Sequence, residues 1–190
     1  MSNNKYSSLW LVGICVVIFI FQFISPKFTE IFKLTTSQAF PHPWTIFTAI
    51  FLHGSITHLL YNMFALALFG LILENEIGTR KFLLIFFISG LFASLASIPF
   101  YNAVLGASGA IFGVIGAVAV LKPKMTVWVY SMPMPMFLAA VIYAAIDVLG
   151  IFIPSSVANI AHLSGIVIGI IFAFVIRLKY KKPPVDMEQT

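Results

Sequence analysis

The chain has 190 residues, 61% of them hydrophobic and only 9% charged, with a mean hydropathy of +1.04. Such values exclude an ordinary water-soluble globular domain and point to a chain folded in a bilayer. The net charge of +5 does not describe a nucleic-acid surface, because the Lys and Arg residues are scattered between apolar runs and build no basic face.

Six apolar runs are each about long enough to cross a hydrocarbon core of roughly 30 Å. They cover 8–25, 55–73, 82–99, 106–121, 127–150 and 158–178. The expected architecture is an all-α polytopic membrane bundle in one domain over 1–190, with a short tail at 179–190. The first run holds the single cysteine, Cys15, so an intrachain disulfide and a Cys-based metal centre are excluded. It lacks a small-residue cleavage pattern and reads as a span, not a signal peptide. An even number of spans puts both termini on one side. With both inside, the cytoplasmic segments hold Lys5, Arg80, Lys81, Lys122, Lys124, Arg177, Lys179, Lys181 and Lys182, against Lys27 and Lys33 outside. A multi-pass cell-membrane protein with cytoplasmic termini is expected.

The segment 26–54 is the one long connection. Its Phe40, Pro41, Pro43, Trp44, Phe47 and Phe51 suggest that it lies in the membrane interface. His42 and His53 within it read as structural. At the start of the second run, in "FLHGSITHLLYNMFAL", Gly54 breaks the chain and Ser55 caps a helix, which puts His58 in the first turn and Asn62 four residues on, on the same face. Two readings stand for this pair: glue between helices, or a functional polar group near the outer surface. His53 and His58 are five apart and no HExxH pattern accompanies them, so a metal site is not expected.

The fourth run, from Gly106 to Leu121, covers about 24 Å, less than the roughly 30 Å core, so its outer end starts below the surface. Segment 100–107 then dips in as irregular backbone, tolerated where protein covers it or a water-filled cavity meets it. Within "LGASGAIFG", Ser108 opens the helix, where unpaired N–H groups suit a developing oxyanion. In the fifth run Asp147 is the sole acidic residue placed inside a span, near its outer end; the sequence favours an interface position for it over a pocket-facing one. The sixth run carries His162 in "ANIAHLSGIVIG". The fourth and sixth runs are parallel. Small residues follow each polar one, Gly109, Gly113 and Gly116 after Ser108, Gly165 and Gly169 after His162, and facing seams of this kind let backbones approach closely. Ser108 and His162 then stand at similar depth on adjacent helices, as a nucleophile and its base require.

Together "HGSITHLLYN", "GASGAIFG" and "AHLSGIVIG", in this order, resemble the rhomboid family of intramembrane serine proteases over roughly Trp44 to Val175. "ENEIGTRKF", with Glu74 and Gly78, is similar to the family's cytoplasmic turn. The resemblance implies a compact six-span rhomboid-like bundle, Ser108 as nucleophile, His162 as base, and His58 with Asn62 completing an oxyanion hole. It implies no cofactor and no metal. The substrate it implies is a single-span membrane protein that enters sideways from the lipid bilayer between the second and fifth helices. Two departures qualify it: 26–54 contains no Arg to pair with an aromatic residue, and Phe112 stands where relatives often carry Tyr stacked on the base. The alternative is a proteolytically silent rhomboid-like protein that binds membrane clients. Such proteins typically lose the serine or the base, and both are present here. A small polar channel is disfavoured because the polar groups cluster at one end.

Overall fold

The structure, a computed structural model, describes residues 6–129, 131–153 and 157–180. Lys5, Lys181, Lys182 and the tail beyond 180, all used in the topology reading, lie outside the described residues. Helices dominate: α1 (Ser7–Ile24), α2 (Pro26–Phe32), α3 (Thr45–Thr48), α4 (Ile56–Ile77), α5 (Thr79–Ser97), α6 (Ser108–Leu121), α7 (Met136–Gly150) and α8 (Asn159–Tyr180). Two short antiparallel pairs, which an all-α expectation did not include, join β1 (Leu34–Thr35) to β2 (Ala103–Val104) and β3 (Thr126–Val129) to β4 (Met132–Pro135).

By length and apolarity α1, α4, α5 and α8 can each cross a membrane, whereas α6 and α7 are shorter apolar helices of 14 and 15 residues. The expected fifth span of 127–150 is helical only from Met136. Pro133 and Pro135 lack the N–H that a helix interior needs, and the β-branched Thr126, Val127 and Val129 favour the extended chain that precedes them. The second span runs on past 73 to Ile77. Gly78, with φ 84°, stops it in a conformation that costs glycine little.

The short helix α6 is the centre of the bundle. Nine of its fourteen residues are buried, which an all-round apolar helix achieves only when protein surrounds it, and it packs against α4, α5, α7 and α8. Large apolar side chains instead face outward on the long helices, among them Val17, Ile20 and Phe21 of α1, Phe64 of α4, and Val167, Ile171 and Phe174 of α8. A perimeter of this kind fits lipid better than water.

Glycines set the closest packing. A Cβ on Gly109 would lie 3.3 Å from the Ala161 carbonyl oxygen, one on Gly113 would lie 3.1 Å from that of Gly165, and one on Gly116 would lie 2.6 Å from that of Ile166. The partners advance together along both chains, so α6 and α8 are parallel and their seams face each other, as the glycine spacing anticipates.

Apart from β2, segment 98–107 is irregular backbone; Pro99, Phe100, Asn102 and Ala103 are exposed, while several of its backbone groups find protein partners. Thr36 N donates to Asn102 O at 2.9 Å, Thr36 Oγ1 donates to Ile98 O at 3.2 Å, and Gly106 N donates to Ala49 O at 2.9 Å. These bonds, with the β1–β2 pair, supply partners that helix or solvent would otherwise provide. The connection 26–54 packs Leu34, Ala39 and Ala49 inward while Phe40 and Trp44 stay exposed. At the opposite end of the bundle the buried Glu74 carboxylate accepts from Ser7 N and Ser8 N, each at 3.0 Å, from Ser8 Oγ at 3.1 Å and from Thr79 Oγ1 at 2.8 Å. It thereby caps the start of α1 from another helix.

Candidate active site

Ser55 begins α4 as the capping residue: its Oγ accepts from His58 N at 3.1 Å. That fixes His58 in the first turn, with Nδ1 accepting from Gly54 N at 3.4 Å. One turn on, Asn62 is buried and its Nδ2 donates to the His58 carbonyl at 2.8 Å. His53 is buried beside them, its ring edge-on to that of His58 at 5.2 Å. Gln22 of α1 holds the His53 backbone from both sides: Oε1 accepts from His53 N at 2.9 Å and Nε2 donates to His53 O at 3.2 Å. The sequence offered no signal for that clamp. Burial, and secondarily the nearby His58, pushes the His53 pKa down to about 4, so the ring is neutral.

Ser108 is the first residue of α6. Ile111 N to Ala107 O, at 2.9 Å, is the first bond of the helical ladder, so the N–H groups of Ser108, Gly109 and Ala110 precede it. Gly106 has φ 130°, and a Cβ there would lie 2.9 Å from His58 Nε2 and 3.8 Å from Ser108 Oγ. A side chain at 106 would therefore close the space between the imidazole and the hydroxyl.

His162 reaches this place from α8. Because Gly109 is level with Ala161 across the seam, Ser108 lies about two residues shallower than His162 in the pair of helices. Helical side chains lean toward the N-terminus, which carries the imidazole back toward the serine. Its ring stacks on Phe112 with centroids 4.2 Å apart and planes 11° from parallel. Phe112 is four residues after Ser108, on the same face of α6. Tyr143 of α7 packs edge-on to Phe112 at 6.1 Å. The missing tyrosine hydroxyl at 112 thus leaves the stacking intact. The start of α8 is anchored by Tyr101, whose hydroxyl accepts from Ile160 N at 3.1 Å.

One expectation is corrected. Asp147 faces inward: it is buried near the end of α7, and its Oδ1 lies 2.9 Å from His162 Nδ1. Interface placement follows from counting residues along an uninterrupted fifth span; the helix instead begins nine residues later, at Met136, and the carboxylate is buried where it meets His162 of α8. The available signal was the cost of a lone acidic residue in an apolar run. Among the described residues no three His, Cys, Asp or Glu side chains gather as metal ligands do.

The description "Rhomboid domain" fits residues 41–179, most of the chain. RHOMBOID-like protein 1 of Arabidopsis thaliana is 39% identical over 142 residues, which cover 72% of this chain and 36% of that protein. The putative rhomboid protease YdcA of Bacillus subtilis is 32% identical over 134 residues, 69% of this chain and 66% of that one. The rhomboid protease GlpG of Yersinia pseudotuberculosis is 27% identical over 174 residues, 88% and 61%. The chain spans between a third and a half of the length of its Arabidopsis relatives. The domain match runs from the segment before α3 through α8 and contains Ser108, His162, His58, Asn62, Phe112 and Asp147; the chain is an integral membrane protein and belongs to the rhomboid family.

Proposed function

We propose that the chain is an intramembrane serine endopeptidase that cleaves single-span membrane proteins within or beside their transmembrane segments. The observation that carries the reading is the position of the His162 ring, stacked on Phe112 over the face of α6 that Ser108 opens. The relatives named as rhomboid proteases support the same reaction.

In this reaction Ser108 Oγ attacks the scissile carbonyl carbon while His162 takes the hydroxyl proton. The carbonyl oxygen becomes an oxyanion, stabilised by the Ser108 N–H with His58 and Asn62. His162 then gives its proton to the leaving amine as the C–N bond breaks, which leaves an acyl ester on Ser108. Water attacks that ester, its proton passing to His162 and on to the departing Ser108 oxygen. Both α4 and α7 pack against α6 but little on each other, which favours lateral entry of a substrate helix between them.

We infer a single six-span domain, with α6 and α7 completing the four long helices. Both termini and the Glu74 end face the cytoplasm, and the Ser108 end faces outward, in keeping with the nine-to-two distribution of basic residues in the sequence.

The test is cleavage of a reconstituted transmembrane substrate together with fluorophosphonate labelling. Wild type should cleave and be labelled at Ser108; Ser108→Ala and His162→Ala should each abolish cleavage, and the double variant should be no worse. Folded protein that captures membrane segments but shows neither cleavage nor labelling would favour the client-binding alternative.

A further inference from the structure

We infer that Asp147 is the positioning residue of His162, converting the serine–histidine pair into a three-member relay of hydrogen bonds; the inference rests on the protease reading above. Three observations carry it. First, the carboxylate is buried near the end of an apolar helix, 4% exposed, where an unpaired charge is costly. Its Oδ1 lies 2.9 Å from His162 Nδ1, and among the described residues Oδ2 has no partner, so the imidazole is what this carboxylate serves.

Second, the fold brings the two together where the end of α7 packs on the Asn159 side chain. A Cβ on Gly150 would lie 2.6 Å from Asn159 Oδ1, so the end of α7 and the start of α8 press together at that point. Asp147 is three residues before Gly150 and His162 three after Asn159, each one turn further into the bundle on the side of the contact. Gly150 thus leaves room for the Asn159 side chain at the junction next to this contact.

Third, the ring is held in one orientation. Phe112 covers one face at 4.2 Å, and Asp147 occupies the Nδ1 edge. A carboxylate at Nδ1 keeps the proton on that nitrogen and leaves Nε2 as the lone-pair nitrogen, the state a general base for Ser108 needs. When His162 becomes the imidazolium, Asp147 stabilises the new charge without itself taking the proton.

The experiment joins kinetics to a spectroscopic readout that does not depend on turnover. Asp147→Asn keeps the shape of the side chain and removes the charge; on folded, monodisperse protein it should lower kcat by about 10²- to 10⁴-fold with KM within about twofold of wild type, and slow fluorophosphonate labelling of Ser108 in parallel. Asp147→Ala serves as the second variant. In ¹⁵N spectra of ring-labelled protein, with His162 assigned by its loss in His162→Ala, wild type should show a protonated Nδ1 and an unprotonated Nε2, and both substitutions should shift the Nδ1 resonance. If wild type neither cleaves nor labels, the protease reading fails, while the ring spectra still decide whether Asp147 fixes the tautomer. Labelling of Asp147→Asn at the wild-type rate, or a His162 ring protonated on Nε2 in wild type, overturns the inference.

Discussion

Gly169 of α8 presses on the carbonyl group of Gly113 in α6 so closely that a side chain at 169 has no room unless the backbones part. A Gly-to-Ala change in an open helix position is worth up to about 1 kcal/mol in favour of the variant. At Gly169 and Gly165 the gain is outweighed, because the obstacle in each case is backbone of α6, and overpacking of this kind costs about 1–3 kcal/mol or more. Gly165→Ala and Gly169→Ala should therefore lower the midpoint of thermal unfolding in detergent and slow labelling of Ser108. Gly13→Ala, on an exposed stretch of α1 with nothing within 4 Å, should unfold at or above the wild-type temperature. Gly70 is no neutral control: a Cβ there would lie 2.8 Å from Ser8 Cβ. Seam variants as stable as Gly13→Ala would contradict this packing.

What the sequence made legible was whatever depends on short spacing or on the cost of polarity in lipid. Ser55 as a cap, His58 and Asn62 one turn apart, the glycine seams, and the irregular backbone before Ser108 all follow from local rules. Phe112 on His162 was legible only through the family resemblance. Less legible was anything set by chain direction across an irregular segment. An apolar run containing Val127, Trp128 and Met132 reads as membrane whether it is strand or helix, so the hairpin before α7 escaped notice; the pairing of Asp147 with His162 joins two helices and has no local spacing to announce it. The Gln22 clamp on His53 joins residues 31 apart with no pattern between them.

Glu74 offers a test at the other end of the bundle. Its carboxylate accepts four hydrogen bonds from α1 and Thr79 while wholly buried, and removing it leaves the N–H groups of Ser7 and Ser8 without their acceptor. Hydrogen bonds to a charged group are worth about 1.5–3 kcal/mol each, and buried donors left unpaired cost about 1–3 kcal/mol. Glu74→Ala should lower stability by at least about 2 kcal/mol and loosen α1, read as faster amide exchange at Leu9 to Val12. Glu74→Gln should be intermediate, since its amide keeps one acceptor and turns a donor toward donors. Unchanged exchange in both variants would show that α1 is held by its apolar face alone.

His53 predicts a pH dependence whose sign follows from its depressed pKa. The unfolded chain binds a proton near the ordinary value of 6.5 and the folded protein only near 4, so between these values the unfolded state holds more protons. Stability is full above about pH 6.5 and falls as the pH drops toward 4, by on the order of 3 kcal/mol for this one group. Unfolding midpoints measured from pH 7.5 to 4 should decline in wild type and decline less in His53→Gln. Equal slopes in the two proteins would mean that other groups govern the acid limb.

Orientation can be read with membrane-impermeant thiol reagents on a Cys15→Ser background in right-side-out vesicles. A cysteine replacing Ser37, in the connection near Ser108, should be modified, and one replacing Lys124, at the opposite end, should react only after the membrane is opened. The reverse pattern would turn the candidate site toward the cytoplasm.

The last expectation concerns the two side chains of α4. Asn62 is buried and gives one Nδ2 hydrogen to the His58 carbonyl, which holds the amide group in place and leaves its second hydrogen uncommitted by that bond. Gly106, with no side chain, keeps the space between the His58 ring and the Ser108 hydroxyl clear. If this end of α4 acts on the oxyanion, Asn62→Ala and His58→Ala should lower kcat by one to three orders of magnitude, the usual loss for a single donor, with little change in KM. Gly106→Ala tests the same space from the backbone side. Its Cβ would meet the His58 ring at 2.7 Å, and its φ of 130° is one that L residues rarely adopt, so it should cost both stability and turnover. To separate the two losses, the variants are compared by labelling rate per folded molecule with a small fluorophosphonate and by turnover of the membrane substrate. A donor role predicts that both fall together in Asn62→Ala while the unfolding midpoint moves by less than about 1 kcal/mol equivalent. Full labelling and turnover in Asn62→Ala and His58→Ala would assign the two side chains to helix capping and leave the backbone N–H groups of α6 as the whole of the hole.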